Sequence, residues 1–377
     1  MGPTTNSVEK KKKPGKNIII CCDGTGNEYN AYHNTNVVLV FESIVRDGRQ
    51  IAFYDPGVGT FDALGRTMGK KLGTALGLGF GWGLQQNIED PYRYLMDRYH
   101  TGDADTEPDR VFIFGFSRGA FTARALAGML FKVGLLQKGS KNLIPYASKI
   151  YNGRIMISPS DSPARKKKKE AANRENEATA KGFKTTYCHP CHPYFIGVWD
   201  TVASLGYIRR KKFFDDRLHP QVRYAYQAVS IDEKRRMFPI SLWDENDIDR
   251  ERQTMKQVWF AGVHSDVGGW YQERGLSNVA LRWMLQQAKN AGMVLKDGWD
   301  QTLEPHQLAP DELGMRSRDQ EAEHESWNKY WRVLPRVKRQ FPENPLLHQS
   351  VFDRMADDRN DYVPWQDLPD FHRVEPW

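Results

Sequence analysis

The segment Val111-Phe-Ile-Phe-Gly-Phe-Ser-Arg-Gly119 decides how this chain is expected to fold. An apolar run typical of a buried strand passes directly into Gly-x-Ser-x-Gly, and a segment rich in alanine and glycine follows over residues 120–131. This pattern predicts a strand, a tight turn at Ser117 and a helix. Gly115 and Gly119 are needed because strand and helix approach closely at such a turn, and Ser117 is expected to be pushed up into solvent.

A serine held in this way is the nucleophile elbow of an α/β-hydrolase. The pentapeptide alone is weak evidence, whereas its position between an apolar strand and a small-residue helix is specific. The sequence therefore predicts an α/β fold of the α/β-hydrolase type, with a mainly parallel sheet flanked by helices and with cap or lid insertions. A structural turn bracketed by glycines is the alternative interpretation of the motif.

Two further apolar runs end in polar residues that could complete a catalytic triad with Ser117. Residues 194–199 predict a strand that leads into Asp200, and residues 258–263 predict a strand that leads into His264. Parallel strands present their carboxyl ends at one edge of a sheet, and the order Ser, Asp, His is that of α/β-hydrolases. We therefore expect Ser117 to be the nucleophile, His264 the base and Asp200 the acid that orients it.

Other assignments stay open at this stage. His348 is a rival base, although its flanks indicate the start of a helix or loop and not a strand end, and Asp266 could replace Asp200 as the acid. Asp200 could instead be a helix N-cap or turn residue. His264 could be a buried structural histidine or, together with Asp266, a metal ligand.

The oxyanion hole is expected to use backbone N–H groups. One comes from Arg118, the residue after the nucleophile, and others come from a glycine-rich loop at a neighbouring strand end. Residues 17–22 predict the first strand, and Asp-Gly-Thr-Gly-Asn follows it directly. Gly24 and Thr25 of this loop are the expected donors.

The predicted strand ends and glycine-rich turns fall in five ordered blocks. These are Cys-Asp-Gly-Thr-Gly-Asn (22–27), Phe-Gly-Phe-Ser-Arg-Gly-Ala-Phe-Thr-Ala-Arg-Ala-Leu-Ala-Gly (114–128), Gly-Val-Trp-Asp-Thr-Val-Ala-Ser-Leu-Gly (197–206), Ile-Asp-Glu-Lys-Arg (231–235) and Trp-Phe-Ala-Gly-Val-His-Ser-Asp-Val-Gly-Gly (259–269). Together they resemble an initially uncharacterised α/β-hydrolase family that includes phospholipase effectors of bacterial type VI secretion. The resemblance implies the Ser117, Asp200 and His264 assignment and an esterase or lipase activity on acyl lipids.

Length and composition favour one large domain. The 377 residues are 40% hydrophobic, which is enough for one α/β core with insertions. We predict a single α/β-hydrolase domain over residues 17–377, with insertions at about 132–193 and 207–257 and a basic disordered tail over residues 1–16. No apolar stretch is long enough to span a membrane and no secretory signal is present. A cytoplasmic location is expected, and signal-independent secretion stays open.

The net charge of +7 is concentrated in three basic blocks, Lys10–Lys13, Arg165–Lys169 and Arg209–Lys212. Such blocks are usually solvated and disordered, and residues 160–180 have that composition. The alternative is peripheral contact with an anionic membrane. Nucleic acid is not an expected partner, because no zinc-finger or RNP-type signature accompanies the charge.

Four cysteines indicate no disulfide framework, since Cys21 and Cys22 should point to opposite faces of a strand. The segment Cys188-His189-Pro190-Cys191-His192 matches a haem-attachment pattern, but no export signal accompanies it. A structural zinc ion normally uses two separated ligand pairs, so a surface loop is the expected state of this segment. A haloacid-dehalogenase-like phosphatase is disfavoured because Cys21 stands where its nucleophilic aspartate is required. No metal or cofactor is expected.

The sequence thus predicts a serine hydrolase that cleaves carboxylic esters, with lipids favoured as substrates, through an acyl-enzyme. The rival hypothesis is a non-catalytic adaptor that kept the fold and binds acidic membrane surfaces or partners. The sequence leaves the exact ester and the oligomeric state open.

Overall fold

The computed structural model describes residues 12–24, 34–57, 75–202, 218–236, 238–301, 336–357 and 362–377. Within these residues ten strands form a large sheet and a two-stranded one. The strands are β1 (Asn17–Cys22), β2 (Gln50–Asp55), β3 (Arg110–Phe116), β4 (Leu135–Leu136), β5 (Cys188–His189), β6 (Pro193–Trp199), β7 (Tyr224–Ser230), β8 (Thr254–Phe260), β9 (Leu346–His348) and β10 (Arg373–Glu375).

Helices cover both faces of the large sheet. They are α1 (Asn36–Ser43), α2 (Ala75–Arg98), α3 (Arg118–Val133), α4 (Ile144–Asn152), α5 (Pro163–Tyr187), α6 (His264–Gly268), α7 (Gly275–Asn290) and α8 (Gln349–Ala356). The large sheet has the order β2-β1-β3-β6-β7-β8-β9-β10, and each neighbouring pair is parallel. A parallel sheet between two helical layers is the α/β fold predicted from the sequence.

The sheet has one hydrophobic core on each face, and strand β1 contributes to both. Ile18 and Ile20 pack into the core beneath α2 and α3, whereas Ile19 and Cys21 pack into the core beneath α1 and α7. Cys22 lies on the first face, so the two adjacent cysteines point to opposite faces as predicted. An isoleucine buried in this way stabilises the fold by about 1.5–3 kcal/mol.

The strand order creates a natural binding edge. Strand β1 lies between β2 and β3, so the connections that leave β1 and β3 turn to opposite sides of the sheet. In open α/β sheets, ligands bind in the crevice outside the carboxyl ends of strands at such a switch point. The carboxyl ends here carry Asp23 after β1 and Ser117 after β3.

The basic segment around residues 160–180 is a helix, and the expectation of disorder is wrong. Ser162 caps α5 by accepting a hydrogen bond from the Arg165 backbone N–H, and Pro163 occupies the first turn. Ala180 and Phe183 are buried in the core beneath α3. A cap and a short apolar anchor are therefore enough to order a helix whose remaining surface is charged.

Two other segments differ from the expected surface states. Of the predicted tail, residues 12–16 lie on the fold, where the Lys13 backbone N–H donates to Asp105 O and the Lys16 ammonium pairs with Asp109. The segment after α5 is not a surface loop: β5 pairs with β4 in antiparallel fashion, and Cys191 is fully buried. All four cysteines are free thiols.

Candidate active site

Ser117 lies on a strained turn between β3 and α3. Its φ and ψ are 57° and −119°, a conformation that costs a non-glycine residue about 1–3 kcal/mol. A Cβ atom on Gly115 would lie 2.4 Å from Gly119 O, and one on Gly119 would lie 2.1 Å from Cys22 O. Both glycines are therefore required where strand and helix meet, as the sequence predicted, and the turn has the geometry of a nucleophile elbow.

The structure brings the three predicted triad side chains into one hydrogen-bonded chain. His264 Nε2 lies 2.9 Å from Ser117 Oγ, and His264 Nδ1 lies 2.5 Å from Asp200 Oδ2. The ionised carboxylate can only accept, so Nδ1–H donates to Asp200 and Nε2 accepts the Ser117 hydroxyl proton. This is the tautomer in which a histidine can act as the base of a serine nucleophile.

Ser117 is buried, and the expectation that it would be pushed into solvent is wrong. It is 8% exposed, His264 is 4% exposed and Asp200 is fully buried. The imidazole lies against the serine, and the rings of Phe116 and Phe238 lie 4.6 and 5.0 Å from the imidazole centroid. Two aromatic rings thus cover the imidazole of His264.

Local backbone geometry places Asp200 and His264. Asp200 follows β6 with a φ of 42°, and its backbone N–H donates to Ala228 O. Strand β8 ends at Phe260 and not at residue 263, because Gly262 turns the chain with a φ of 105°. His264 is therefore the first residue of the short helix α6.

The rival residues have other contacts. Asp266 Oδ2 accepts the Val263 backbone N–H at 2.9 Å, so this carboxylate caps α6. His348 does end a strand, β9, contrary to expectation, but its Nδ1 lies 2.9 Å from Ser350 Oγ and its ring stacks on Phe260. Asp266 and His348 both make contacts of their own outside the triad's hydrogen-bonded chain.

Arg339, which no sequence pattern marked, contacts Asp200 from the C-terminal part of the chain. Its Nη1 lies 2.5 Å from Asp200 Oδ1 and its Nη2 lies 2.9 Å from Asp200 Oδ2. The Nη1 group also donates to the backbone oxygen and Oγ of Ser230. Burial would raise the pKa of Asp200, but the Arg339 charge and the His264 hydrogen bond outweigh it and hold that pKa below its usual range.

The Ile-Asp-Glu-Lys-Arg block at 231–235 contacts the backbone of His264. Glu233 Oε2 accepts the His264 backbone N–H at 3.3 Å, and Arg235 pairs with the same carboxylate at 2.7 Å. Burial raises the pKa of Glu233, but Arg235 outweighs it and lowers that pKa overall. Asp232 accepts hydrogen bonds from the Gly262 N–H, the Trp365 N–H and the Tyr362 hydroxyl.

The predicted oxyanion donors are described in part. Arg118 is the first residue of α3, directly after Ser117. The Gly24 N–H donates to Asp23 Oδ1 at 2.6 Å, so Gly24 would have to release this bond to serve an oxyanion. Thr25 lies outside the described residues. Asp23 Oδ2 accepts from the hydroxyls of Thr35 and Tyr54, which fixes the residue before the glycine loop.

The described part of the chain contains neither a metal-binding cluster nor a helix fit to span a membrane. There, no group of three or more His, Cys, Asp and Glu side chains has the arrangement of a metal site. None of the described helices combines the length and the apolarity needed to cross a bilayer.

The chain matches a family model and a curated relative. A family model described as "T6SS, Phospholipase effector Tle1-like, catalytic domain" matches residues 16–287. Uncharacterized protein YEL023C of Saccharomyces cerevisiae is 33% identical over 240 residues, which cover 59% of this chain and 32% of that protein. This chain therefore spans about a third of the length of the yeast relative.

Two solved structures are similar to the chain. An uncharacterized protein from Pseudomonas aeruginosa matches with a TM-score of 0.47 and 20% identity over 84% of this chain and 51% of that one. The Tle1 effector bound to the VgrG spike of a type VI secretion system matches with a TM-score of 0.38 and 18% identity over 70% and 52%. The family model covers well over half of the chain, and the chain therefore belongs to the Tle1-like family of type VI secretion phospholipase effector catalytic domains.

Proposed function

We propose that this protein is a serine hydrolase that cleaves a carboxylic ester of a lipid through an acyl-enzyme. The observation that carries the proposal is the hydrogen-bonded chain from Ser117 through His264 to Asp200 at the carboxyl edge of the sheet. Membership of a phospholipase family indicates a lipid-hydrolysing function. The triad supplies the chemistry for it.

In the proposed reaction, Ser117 Oγ attacks the ester carbonyl carbon while His264 Nε2 accepts the hydroxyl proton. The bond from that carbon to the alcohol oxygen then breaks, and His264 gives the proton to the leaving alcohol. Water, deprotonated by the same imidazole, attacks the acyl-enzyme and releases the carboxylic acid. Asp200 stabilises the imidazolium, and backbone N–H groups such as that of Arg118 stabilise the oxyanion.

Contact with an anionic membrane surface is part of the proposal. Helix α5 presents exposed lysines at 167 and 168, and the neighbouring Ile155 and Met156 are 42% and 44% exposed. Basic side chains are attracted to acidic lipid surfaces, and apolar side chains insert at the interface. A lipid hydrolase gains from such a surface because its substrate lies in the membrane.

The proposal is tested by a fluorophosphonate probe and by Ser117→Ala. We expect the probe to label the wild type on Ser117, and Ser117→Ala to lose about 10⁴–10⁶ in kcat on a short-chain ester while keeping the same unfolding midpoint. Ser265→Ala, which changes a serine next to His264, is the matched control and should keep its label. Absence of labelling in the folded wild type would favour the non-catalytic adaptor instead.

A further inference from the structure

A cavity of about 810 Å³ lies between helices α3 and α5 and the segment that leads into β7. We call it the α3–α5 cavity. Its lining includes Phe131, Lys181, Lys184, Ile196, His219 and Val222. Pockets that hold small organic ligands typically measure about 300–1,000 Å³.

The α3–α5 cavity is separate from the triad. Among its described lining residues, none belongs to the triad. Helix α3 begins just after Ser117 and rises about 1.5 Å per residue, so Phe131 lies roughly 20 Å further along the helix. Val222 precedes β7, which places this wall of the cavity at the amino edge of the sheet, opposite the nucleophile.

The cavity combines an apolar wall with a positive charge. Ala127, Ile196 and Val222 are buried along the wall, whereas Phe131 is 46% exposed. Of the described lining side chains, five are Lys or Arg and two are Asp or Glu. Apolar walls with a few charged groups select an amphiphilic ligand, and the charge balance selects an anion.

His219 supplies a hydrogen-bond donor without an acceptor. Its Nδ1 accepts the Gln221 backbone N–H at 3.1 Å, so the ring proton of the neutral imidazole lies on Nε2. Burial, followed by the neighbouring His192 and Lys184, lowers the pKa of His219 to about 3, which keeps the ring neutral. Nε2 is buried and has no hydrogen-bond partner in the described structure, and a buried donor of this kind is destabilising unless a ligand accepts from it.

The Lys184 ammonium lies beside this donor and can donate further hydrogen bonds to a ligand. Its ammonium donates to Phe131 O at 2.7 Å, which uses one of three N–H groups. The rings of Phe131 and His219 are in contact. Because Lys184 binds the backbone of Phe131, its ammonium and the imidazole N–H of His219 lie at the same end of the cavity. By contrast, the Lys132 ammonium already contacts Ile150 O and the Asn176 side chain.

We propose that the α3–α5 cavity binds a single-chain lipid anion, with its carboxylate at Lys184, Lys181 and the Nε2–H of His219 and its alkyl chain along the apolar wall. A carboxylate oxygen accepts from both kinds of donor, and the alkyl chain covers the Phe131 ring that is otherwise exposed. The site does not depend on the reaction proposed above, although a lipid hydrolase releases an anion of this class.

Binding is tested with dodecanoate in the Ser117→Ala variant, which separates binding from turnover. Isothermal titration calorimetry should give saturable binding of dodecanoate and much weaker binding of methyl dodecanoate, because the ester has no charge. A dodecanoic acid that carries a terminal diazirine should cross-link to peptides containing residues 127–131 or 218–222. The proposal is overturned if dodecanoate does not saturate, if the ester binds as tightly, or if cross-links occur only at the triad.

Matched variants assign the carboxylate end. Lys181→Gln removes an exposed charge and should weaken dodecanoate binding about two- to fivefold, whereas Lys167→Gln, on the same helix but outside the cavity lining, should leave it unchanged. His219→Phe keeps the ring and loses the donor, so we expect about tenfold weaker binding. If His219→Phe does not fold, Lys184→Gln replaces it with the same expectation. Equal effects of Lys181→Gln and Lys167→Gln would contradict the site.

Discussion

At the scale of single residues, the charge of Asp200 is the controlling feature of the candidate site. The carboxylate is fully buried, and an isolated buried charge would be neutralised by protonation. Arg339 on one side and His264 on the other keep it ionised. The acid can therefore hold the imidazole tautomer without becoming a proton acceptor itself.

The two candidate acids are separated by paired substitutions. Asp200→Asn should lower kcat by about 10⁴, because the amide mis-orients the imidazole as in other triads. Asp266→Asn should cost far less, since its carboxylate caps α6 and does not lie in the hydrogen-bonded chain from Ser117 to Asp200. Steady-state kinetics on a soluble ester measure both, with unfolding midpoints as the control. A larger loss for Asp266→Asn would move the acid to that position.

Removing Arg339 should change the pH dependence of activity. In Arg339→Met, burial would act on Asp200 with less opposition, so the pKa of Asp200 rises and the carboxylate takes up a proton at a higher pH. We expect the acid limb of the kcat/KM profile to move up by about one pH unit or more. Arg339→Lys keeps a charge but loses the two-point contact, and its limb should lie in between.

A purely structural role for Arg339 would lower activity equally at every pH. Arg336→Met is the control, because Arg336 packs over the Trp365 ring and has no contact with Asp200 in the described structure. An unshifted acid limb in folded Arg339→Met would contradict the electrostatic role.

The grouping of Ser117, Asp200 and His264 could be predicted from the sequence because each of them follows an apolar strand or the turn that ends one. It could not predict Arg339, which lies 139 residues beyond Asp200 without a strand or motif to mark it. A single arginine in a basic chain looks the same whether it faces solvent or a buried carboxylate. Only the folded geometry distinguishes them.

At the scale of elements, α5 shows that amino-acid composition alone does not predict whether a segment is ordered. Its sequence is strongly polar, as is typical of disordered segments. The Ser162 N-cap and two buried residues are nevertheless sufficient to order it. The strands were easier to predict, because Asn17–Cys22 is apolar on both faces and only a sheet covered by two helical layers buries both.

Helix α5 also provides a test of membrane attraction. Lys169 forms an ion pair with Asp161 at 2.6 Å. A triple variant, Lys166→Gln, Lys167→Gln and Lys168→Gln, therefore removes the lysine charges of this block that lie outside the pair. Each can contribute up to about 1 kcal/mol at an acidic membrane. We expect slower and less salt-sensitive turnover on anionic vesicles, and unchanged turnover on a soluble short-chain ester.

The control for α5 is Lys289→Gln at the end of α7, a helix on the opposite face of the sheet. Its turnover on vesicles should equal that of the wild type. Equal vesicle rates for the triple variant and the wild type at all salt concentrations would show that these lysines are only a solvated helix face.

At the scale of the whole molecule, the site is assembled from distant parts of the chain. The family match ends at residue 287, whereas β9, β10 and Arg339 all follow it and extend the sheet or the site. Tyr362 and Trp365 reach back to Asp232. The predicted fold class was correct because apolar runs that end in polar or glycine-rich turns are typical of parallel strands. The positions of β9 and β10 in the sheet depend on contacts between distant residues, which no local pattern encodes.

The pH dependence of stability is expected to contain a contribution from Asp55, at the end of β2 near the glycine loop. Asp55 is 8% exposed, and burial raises its pKa to about 6 even though it accepts the Gly57 N–H. A raised folded-state pKa means that the folded protein binds more protons than the unfolded chain between pH about 4 and about 6. The stability from this group is therefore present below the unfolded pKa and is lost as the pH rises through about 6.

Asp55→Asn removes this titration and keeps an oxygen for the Gly57 N–H. Relative to the wild type, we expect the variant to gain up to about 3 kcal/mol of unfolding free energy between pH 4 and pH 7, because a shift of one pKa unit corresponds to about 1.4 kcal/mol. Urea unfolding at several pH values measures the difference. Asp47→Asn is a control of opposite sign, since Arg49 lowers the pKa of the exposed Asp47 and its stabilising effect is lost as the pH falls. A difference between Asp55→Asn and the wild type that stays constant with pH would show that Asp55 does not titrate in this range, and that the carboxylate beside the glycine loop is ionised throughout.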